Sequence, residues 1–286
     1  MPGALVLVAT PIGHLDDLST RAVRALRDAD CVCCEDTRRT GNLLRHLGIR
    51  ASRLIVINEH TEYDRTSDVM ALLAEGATVA LVSDAGTPAV SDPGERLVRA
   101  AVESGAAVSA VPGPAALIMA LVLSGLPTAR FAFDGFLPRR GPERKQRLGE
   151  VARERRTVVL YEAPHRLMRT LTDLESACGG DRRIAIAREL TKMHEDVWRG
   201  TLADAVQHAR AVEPRGEYVL VLDGAPEPPP AGDDAMVAEL SRRLDAGMSV
   251  SDAAGEVAAA LGLARRSVYQ QALTLRRLRD GIPSES

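Results

Sequence analysis

Residues 4–13, Ala-Leu-Val-Leu-Val-Ala-Thr-Pro-Ile-Gly, decide the fold. Ala4–Ala9 is apolar with no polar alternation, the pattern of a strand buried on both faces. The Thr10-Pro11-Ile12-Gly13 turn that stops it is rigid and carries little side-chain bulk, so a ligand can approach its backbone closely. Working outward, short runs of the same kind recur at Cys31–Cys34, Leu54–Ile57, Thr78–Val82 and Ala107–Val111. Helical patterns fit between them at Ser19–Arg27, Arg38–Leu47, Arg65–Glu75 and Gly94–Glu103. This alternation predicts an α/β fold with a mostly parallel sheet covered on both faces. Such sheets bind ligands beyond the carboxyl ends of their strands, so the residues just after each strand are the ones to inspect.

Val111-Pro112-Gly113-Pro114 interrupts the pattern, and a helix follows to about Leu123. A second α/β unit then begins, with strands read at Thr157–Tyr161, Arg183–Ala187, Val197–Arg199 and Tyr218–Leu222. Its helices fit at Pro142–Arg153, Pro164–Glu175 and Leu202–Arg210. Three consecutive prolines at 228–230 mark a linker, since proline enters neither helix interiors nor central strands. Beyond it, helical patterns at Asp234–Leu244, Ser251–Leu261 and Ala264–Leu278 make a small unit with a turn at Gly262. That is the helix-turn-helix pattern, which any three-helix bundle also shows. The expected organisation is residues 1–112 and 113–225 as two α/β domains, 226–233 as linker and 234–286 as helical tail.

The 286 residues are 45% hydrophobic but only 3% aromatic, so the core is aliphatic. The scarcity of rings argues against a single-strand-RNA module built on stacking platforms. A net charge of −3 excludes a uniformly basic nucleic-acid coat. Cations are nonetheless clustered: Arg139, Arg140, Arg144, Lys145 and Arg147 lie within one short run, and Arg265 to Arg279 contains no acid. Such patches suit phosphate binding, although each run alone also fits a solvated helix face. Cys31, Cys33, Cys34 and Cys178 read as buried thiols of a reduced protein, because alternating strand faces keep the first three from converging on a metal. No metal site, basic leader or membrane-length apolar segment is read, which makes the cytoplasm the expected location.

The loop after Thr78–Val82 runs Ser83-Asp84-Ala85-Gly86-Thr87-Pro88 and on to Gly94, crowded with small turn-forming residues and with carboxylates at 84 and 92. Pro112-Gly113-Pro114-Ala115-Ala116 is equally narrow. Together with Thr10–Gly13 these loops outline one cleft. The second unit contributes charged strand ends at Tyr161-Glu162-Ala163-Pro164-His165-Arg166 and Arg188-Glu189-Leu190-Thr191-Lys192. Arg188 and Glu189 also fit a plain ion pair that pins their loop.

Taken in order, VATPIGHL (8–15), CEDTR (34–38), SDAGTPAVSDPG (83–94), PGPAA (112–116), GFLP (135–138), YEAPHR (161–166) and ARELTK (187–192) resemble the 16S ribosomal RNA cytidine-2′-O-methyltransferases. These form a branch of the tetrapyrrole-methylase-like, class III methyltransferases. The likeness spans roughly residues 4–223, and the tail is similar to the extra domain of that branch. His14 departs from the asparagine usual there. The resemblance implies S-adenosylmethionine folded into the cleft, held by Ser83, Asp84, Ala85, Gly86, Thr87 and Pro88 and surrounded by Ala115, Ala116, Tyr161, Glu162, Ala187, Arg188 and Glu189. Thr10, Pro11 and Gly13 would line the acceptor side. It further implies a homodimer acting on a decoding-centre cytidine of the small ribosomal subunit.

Methylating a ribose hydroxyl requires in-line alignment and removal of a proton. The candidate groups are Glu35, Asp36, His60, Glu162, Glu189 and Lys192, all at or after strand ends. A lone histidine such as His60 is as readily a surface or hydrogen-bonding residue. Arg38, Arg139, Arg140, Arg144, Lys145, Arg147, Arg265 and Arg266 suit RNA phosphates. Two rival readings stand beside this one. A tetrapyrrole methylase of the same superfamily would have no need of the arginine runs or the tail. A helix-turn-helix regulator would use the front domains to sense a metabolite.

Overall fold

The computed structural model describes residues 3–211, 213–227 and 233–279. Packing contacts divide the chain between Ala225 and Pro226. The larger unit opens with β1 (Ala4–Val8), α1 (Thr20–Asp28), β2 (Cys31–Cys34), α2 (Thr37–His46), β3 (Leu54–Val56), α3 (Glu62–Ala74), β4 (Thr78–Leu81), α4 (Glu95–Glu103) and β5 (Ala107–Val111). These strands form a parallel sheet in the order β3-β2-β4-β1-β5. Both faces are covered: Leu5, Cys31, Cys33 and Leu81 pack beneath α3 and α4, while Val8, Val32, Cys34 and Val82 pack beneath α1 and α2. The alternating cysteines therefore enter opposite cores, as the pleat requires.

The order has a functional consequence. β4 inserts between β1 and β2, so β4, β1 and β5 are consecutive neighbours. Their three narrow strand-end loops emerge side by side at one edge, where the connections switch direction.

α5 (Ala116–Ser124) leaves the first sheet and packs against the second. That sheet comprises β6 (Phe131–Phe136), β7 (Thr157–Glu162), β8 (Arg183–Arg188), β9 (Asp196–Thr201) and β10 (Tyr218–Leu222), in the order β6-β7-β10-β8-β9. α6 (Pro142–Arg153), α7 (Pro164–Cys178) and α8 (Leu202–Ala211) cover its other face. Two sequence expectations need correction here. The sheet is mixed, with only β6–β7 parallel. Even so, β10 runs antiparallel to both β7 and β8, so β6, β7 and β8 still share one direction and gather their carboxyl ends. β6 is not among the strands the sequence predicts: its Asp134-Gly135 pair, of a kind typical of turns, is a bulge inside a strand.

The smaller unit contains α9 (Asp233–Asp245), α10 (Val250–Leu261) and α11 (Arg265–Arg279). Leu240, Val257, Val268 and Ala272 are fully buried among them. The Ser249 hydroxyl accepts from the Asp252 N–H to cap α10, and left-handed Gly262 ends it. The triple proline of the expected linker, with residues 231 and 232, lies outside the described residues.

Two candidate residues turn out to hold the fold. Arg144 is 3% exposed; its guanidinium meets Asp173 at 2.7 Å, the Pro138 carbonyl at 2.9 Å and Thr170 Oγ1 at 3.0 Å. It is enclosed between α6 and α7 and has no face for RNA. Glu162 is 2% exposed, accepts from Thr170 at 2.5 Å and pairs with Arg166 at 3.2 Å. It follows Leu160 onto the face that packs under α7, away from α5, so it is no candidate base. Arg144→Ala should lower the urea midpoint by an amount equivalent to about 2–3 kcal/mol, because charged hydrogen bonds are lost and their buried acceptors left short. Arg139→Ala, at an exposed position, should leave the midpoint within about 0.5 kcal/mol.

Candidate active site

The three loops at the β4-β1-β5 edge are tied to one another. Thr10 and Gly86 form a two-way backbone bridge, with N···O distances of 2.9 and 3.1 Å. The Thr10 hydroxyl donates to the Ser83 carbonyl at 3.3 Å, and the Thr87 hydroxyl to the Pro114 carbonyl at 3.1 Å. Ala115 caps α5 and Ala116 begins it, with no side-chain cap bond. The edge is thus backbone and small side chains, a cradle rather than a packed corner.

Strain marks the same place. The described non-glycine residues with left-handed backbone are Ala89, Ser91, Glu189 and Thr191. Two lie in the loop after β4 and two in the loop after β8. Such conformations cost roughly 1–3 kcal/mol each and persist where function demands a shape.

The two strained loops belong to one site. The His14 N–H donates to Thr191 Oγ1 at 3.1 Å. A Cβ on Gly13 would lie 2.5 Å from Lys192 Cγ and 2.5 Å from Thr191 Oγ1, so only glycine lets the β1 loop close against the β8 loop. Lys192 Nζ then donates to Glu189 Oε1 at 2.8 Å and to Glu217 Oε2 at 2.9 Å. Glu189 also accepts the Glu217 N–H at 2.9 Å. Burial works against both charges, but these bonds hold the Glu189 carboxyl below and the Lys192 ammonium above their ordinary ranges. Neither is poised to take a proton; together they supply a fixed charge cluster.

The remaining candidates separate clearly. Asp36 is the N-cap of α2, accepting from the Arg38 N–H at 2.7 Å and from its guanidinium at 3.1 Å. Arg38 is thereby occupied by Asp36, although its side chain is exposed. His60 is exposed, and its N–H caps onto Asn58 Oδ1. Ala187 is buried under α5. Arg188 shares the Ile186 face beneath α7 and α8, where it lines a separate cavity of about 130 Å³, so it does not face the cleft. Tyr161 does face α5, and burial pushes its hydroxyl pKa up.

Glu35 follows β2 at the mouth of the α2 turn, next to its N-cap Asp36. Burial, then the nearby Asp84, pushes the Glu35 carboxyl pKa upward. Burial also raises that of Asp84, which accepts the Asp36 N–H at 3.2 Å and pairs with Arg39 at 3.4 Å. The group not counted among the candidate bases is Asp92. Burial and the Glu35 charge raise its carboxyl to about 6. It lines an open depression of about 460 Å³ together with Glu59, Glu62, Ser91 and Arg96. The signal in the sequence was the second carboxylate of the 83–94 loop, one residue past a position that proves to be strained.

The chain matches the family model described as Tetrapyrrole (Corrin/Porphyrin) Methylases over residues 4–206. The chain belongs to the tetrapyrrole methylase family. A second model, the RsmI C-terminal HTH domain, matches residues 231–276. Among curated proteins, "Ribosomal RNA small subunit methyltransferase I" of Synechocystis sp. is 46% identical, covering 96% of this chain and 98% of that protein. The protein of the same name from Mycobacterium tuberculosis is 44% identical over 98% of both. Solved members of the fold include the methyltransferase CobJ, with a TM-score of 0.60 at 21% identity, covering 79% of this chain and 95% of that one. Uroporphyrin-III C-methyl transferase from Thermus thermophilus, complexed with S-adenyl homocysteine, has a TM-score of 0.55 at 19% identity over 77% of this chain and 97% of that one.

For this family member, a pH-dependent stability follows from Asp92. Its folded pKa lies above the unfolded value, so the folded state binds more protons between about pH 4 and 6, and stability falls as pH rises through that window. Asp92→Asn should therefore stabilise the protein at pH 8 by about 1–2 kcal/mol, with the gain shrinking toward pH 4. Urea midpoints across that range check the sign.

Proposed function

We propose that this chain transfers a methyl group from S-adenosylmethionine to the ribose 2′-hydroxyl of a decoding-centre cytidine in 16S rRNA. The observation that carries this reading is the near end-to-end likeness to ribosomal RNA small subunit methyltransferase I, tail included. Tetrapyrrole methylases share only the front of the chain with it.

The residues present suit that cofactor. The cradle of Thr10–Gly13, Ser83–Pro88 and Ala115–Ala116 offers backbone donors and acceptors with little bulk, as an amino acid tail and a nucleoside require. When bound, S-adenosylmethionine supplies an electrophilic methyl on a positively charged sulfur. The carboxylates Glu35, Asp84 and Asp92 give this edge a negative field suited to that charge. Asp92 accepts the hydroxyl proton, since a carboxyl with a raised pKa is a stronger base near neutral pH, and the neighbouring Glu35 charge helps to raise it. The Lys192–Glu189–Glu217 cluster holds the acceptor loop at Gly13 in register with the second sheet. In this reading residues 1–112 and 113–225 are the two lobes of the site.

Two chains work as a homodimer: α5 leaves Ile118, Met119, Val122 and Leu123 exposed on its outer side, an apolar face that a second copy covers. RNA phosphates are met by Arg139, Arg140, Lys145 and, on the tail, Arg265 and Arg266, all exposed. Arg147 reaches them only by leaving Glu150, 3.3 Å away. Among the described residues no helix is long and apolar enough to cross a membrane. In this reading the enzyme works in the cytoplasm, where small ribosomal subunits are found.

Incubation with methyl-labelled S-adenosylmethionine and unmodified small subunits, naked 16S rRNA or a tetrapyrrole tests the reading. Label should appear in rRNA, in a ribose. Label confined to the tetrapyrrole, or to a base, overturns it. Asp92→Asn should lower the rate at saturating substrate by about 10²–10⁴-fold if this carboxylate takes the proton.

A further inference from the structure

Aromatic side chains are scarce in this protein, yet three of them meet at one edge of the candidate site. Phe133 packs edge-on against Tyr161 with ring centroids 5.0 Å apart, and Phe136 leans on the same ring at 5.7 Å. Phe136 is half exposed, whereas Phe133 and Tyr161 are mostly covered.

The backbone is arranged to make this happen. In a regular strand Phe133 and Phe136, three residues apart, point to opposite faces. β6 carries one extra residue: Phe133 pairs with Val159, Gly135 with Leu160 and Phe136 with Tyr161. The bulge at Asp134 therefore turns Phe136 onto the face of Val159 and Tyr161, the α5 side. Gly135 adopts φ 59° there, and a Cβ on it would lie 3.0 Å from Ser91 Oγ, against the strained loop that bears Asp92. The segment after it is pinned. Arg166 donates to the Leu137 carbonyl, and Arg144 to the Pro138 carbonyl. Arg139 and Arg140 follow immediately and are exposed.

An exposed ring on a rigid mount, beside the reacting cleft and flanked by free-standing cations, is the arrangement that captures an unstacked base while its phosphates are neutralised. We propose that Phe136 is a stacking platform for a nucleobase of the RNA at the methylation site, with Arg139 and Arg140 holding the adjoining phosphates. The inference rests on the rRNA reading above. It assigns to one side chain the task of orienting the nucleotide whose ribose reacts.

The test uses the full-length protein with Phe136→Ala, Phe136→Leu and Phe136→Tyr. Binding of a single-stranded decoding-region RNA, KM for small subunits, S-adenosylhomocysteine affinity and particle mass are measured for each. Alanine and leucine should weaken RNA binding by roughly 5- to 150-fold, while tyrosine stays within about threefold of the parent. S-Adenosylhomocysteine affinity and particle mass should not change. Full RNA binding by the leucine variant would mean an apolar contact and overturn stacking. A halved particle mass for the alanine variant would assign the ring to a second copy of the chain and also overturn it. Phe136→Trp adds a readout that needs no turnover, since stacking on RNA should quench its emission; an emission unaltered by saturating RNA sinks the proposal. Parent enzyme that labels rRNA normally, with all variants equal to it, would defeat this inference and leave the proposed function standing.

Discussion

β1 is hydrogen-bonded along both edges, to β4 from Ala4 through Leu7 and to β5 from Ala4 through Val8. Everything at the site depends on that double pairing. Because the strands are parallel, all three chains leave the sheet in the same direction, and their neighbour relationship places the 10–13, 83–94 and 112–116 loops side by side. The Thr10–Gly86 bridge carries the pairing a step beyond the regular sheet. Without it, three short loops of small residues would be three unrelated turns. With it, the loops are tied to one another through Thr10, Gly86, Ser83, Thr87 and Pro114.

The second sheet completes the site by a different route. Antiparallel β10 restores a common direction to β7 and β8, so their loops reach the same side despite the mixed topology. The contact is close: the missing side chain of Gly13 is the room in which Thr191 and Lys192 sit. Electrostatics then divide the labour. Lys192 bonds both Glu189 and Glu217, and these bonds keep the Glu189 carboxyl and the Lys192 ammonium charged, which suits positioning. Asp92, Glu35 and Asp84 lie where burial raises their affinity for protons, with like charges adding to the rise at Asp92 and Glu35, which suits proton transfer.

Candidate residues drawn from strand ends divided according to which face of the sheet they occupy. Tyr161 and Glu162 are adjacent in sequence, yet the pleat sends the tyrosine toward α5 and the glutamate beneath α7. Ala187 and Arg188 split in the same way. Arg144 lies in a run of cations that reads as one patch, but helical periodicity turns it inward to Asp173 while Lys145 and Arg147 remain outside. Low aromatic content argues against stacking along the chain as a whole, yet Phe133, Phe136 and Tyr161, distant in sequence, converge.

The sequence by itself determined the α/β alternation of the front half, the buried β1 strand, the three narrow loops, the helical tail and, through the motifs between residues 8 and 192, the methyltransferase family. These are local or ordered along the chain, so periodicity, turn chemistry and spacing express them. Only the tertiary structure decided that β4 lies between β1 and β2, that the second sheet is mixed, that burial and the Glu35 charge raise the Asp92 carboxyl, and that a bulge turns Phe136 onto the face of Tyr161. Each of these depends on pairing between distant segments and on burial from several directions at once. No window of sequence contains the partners that set them.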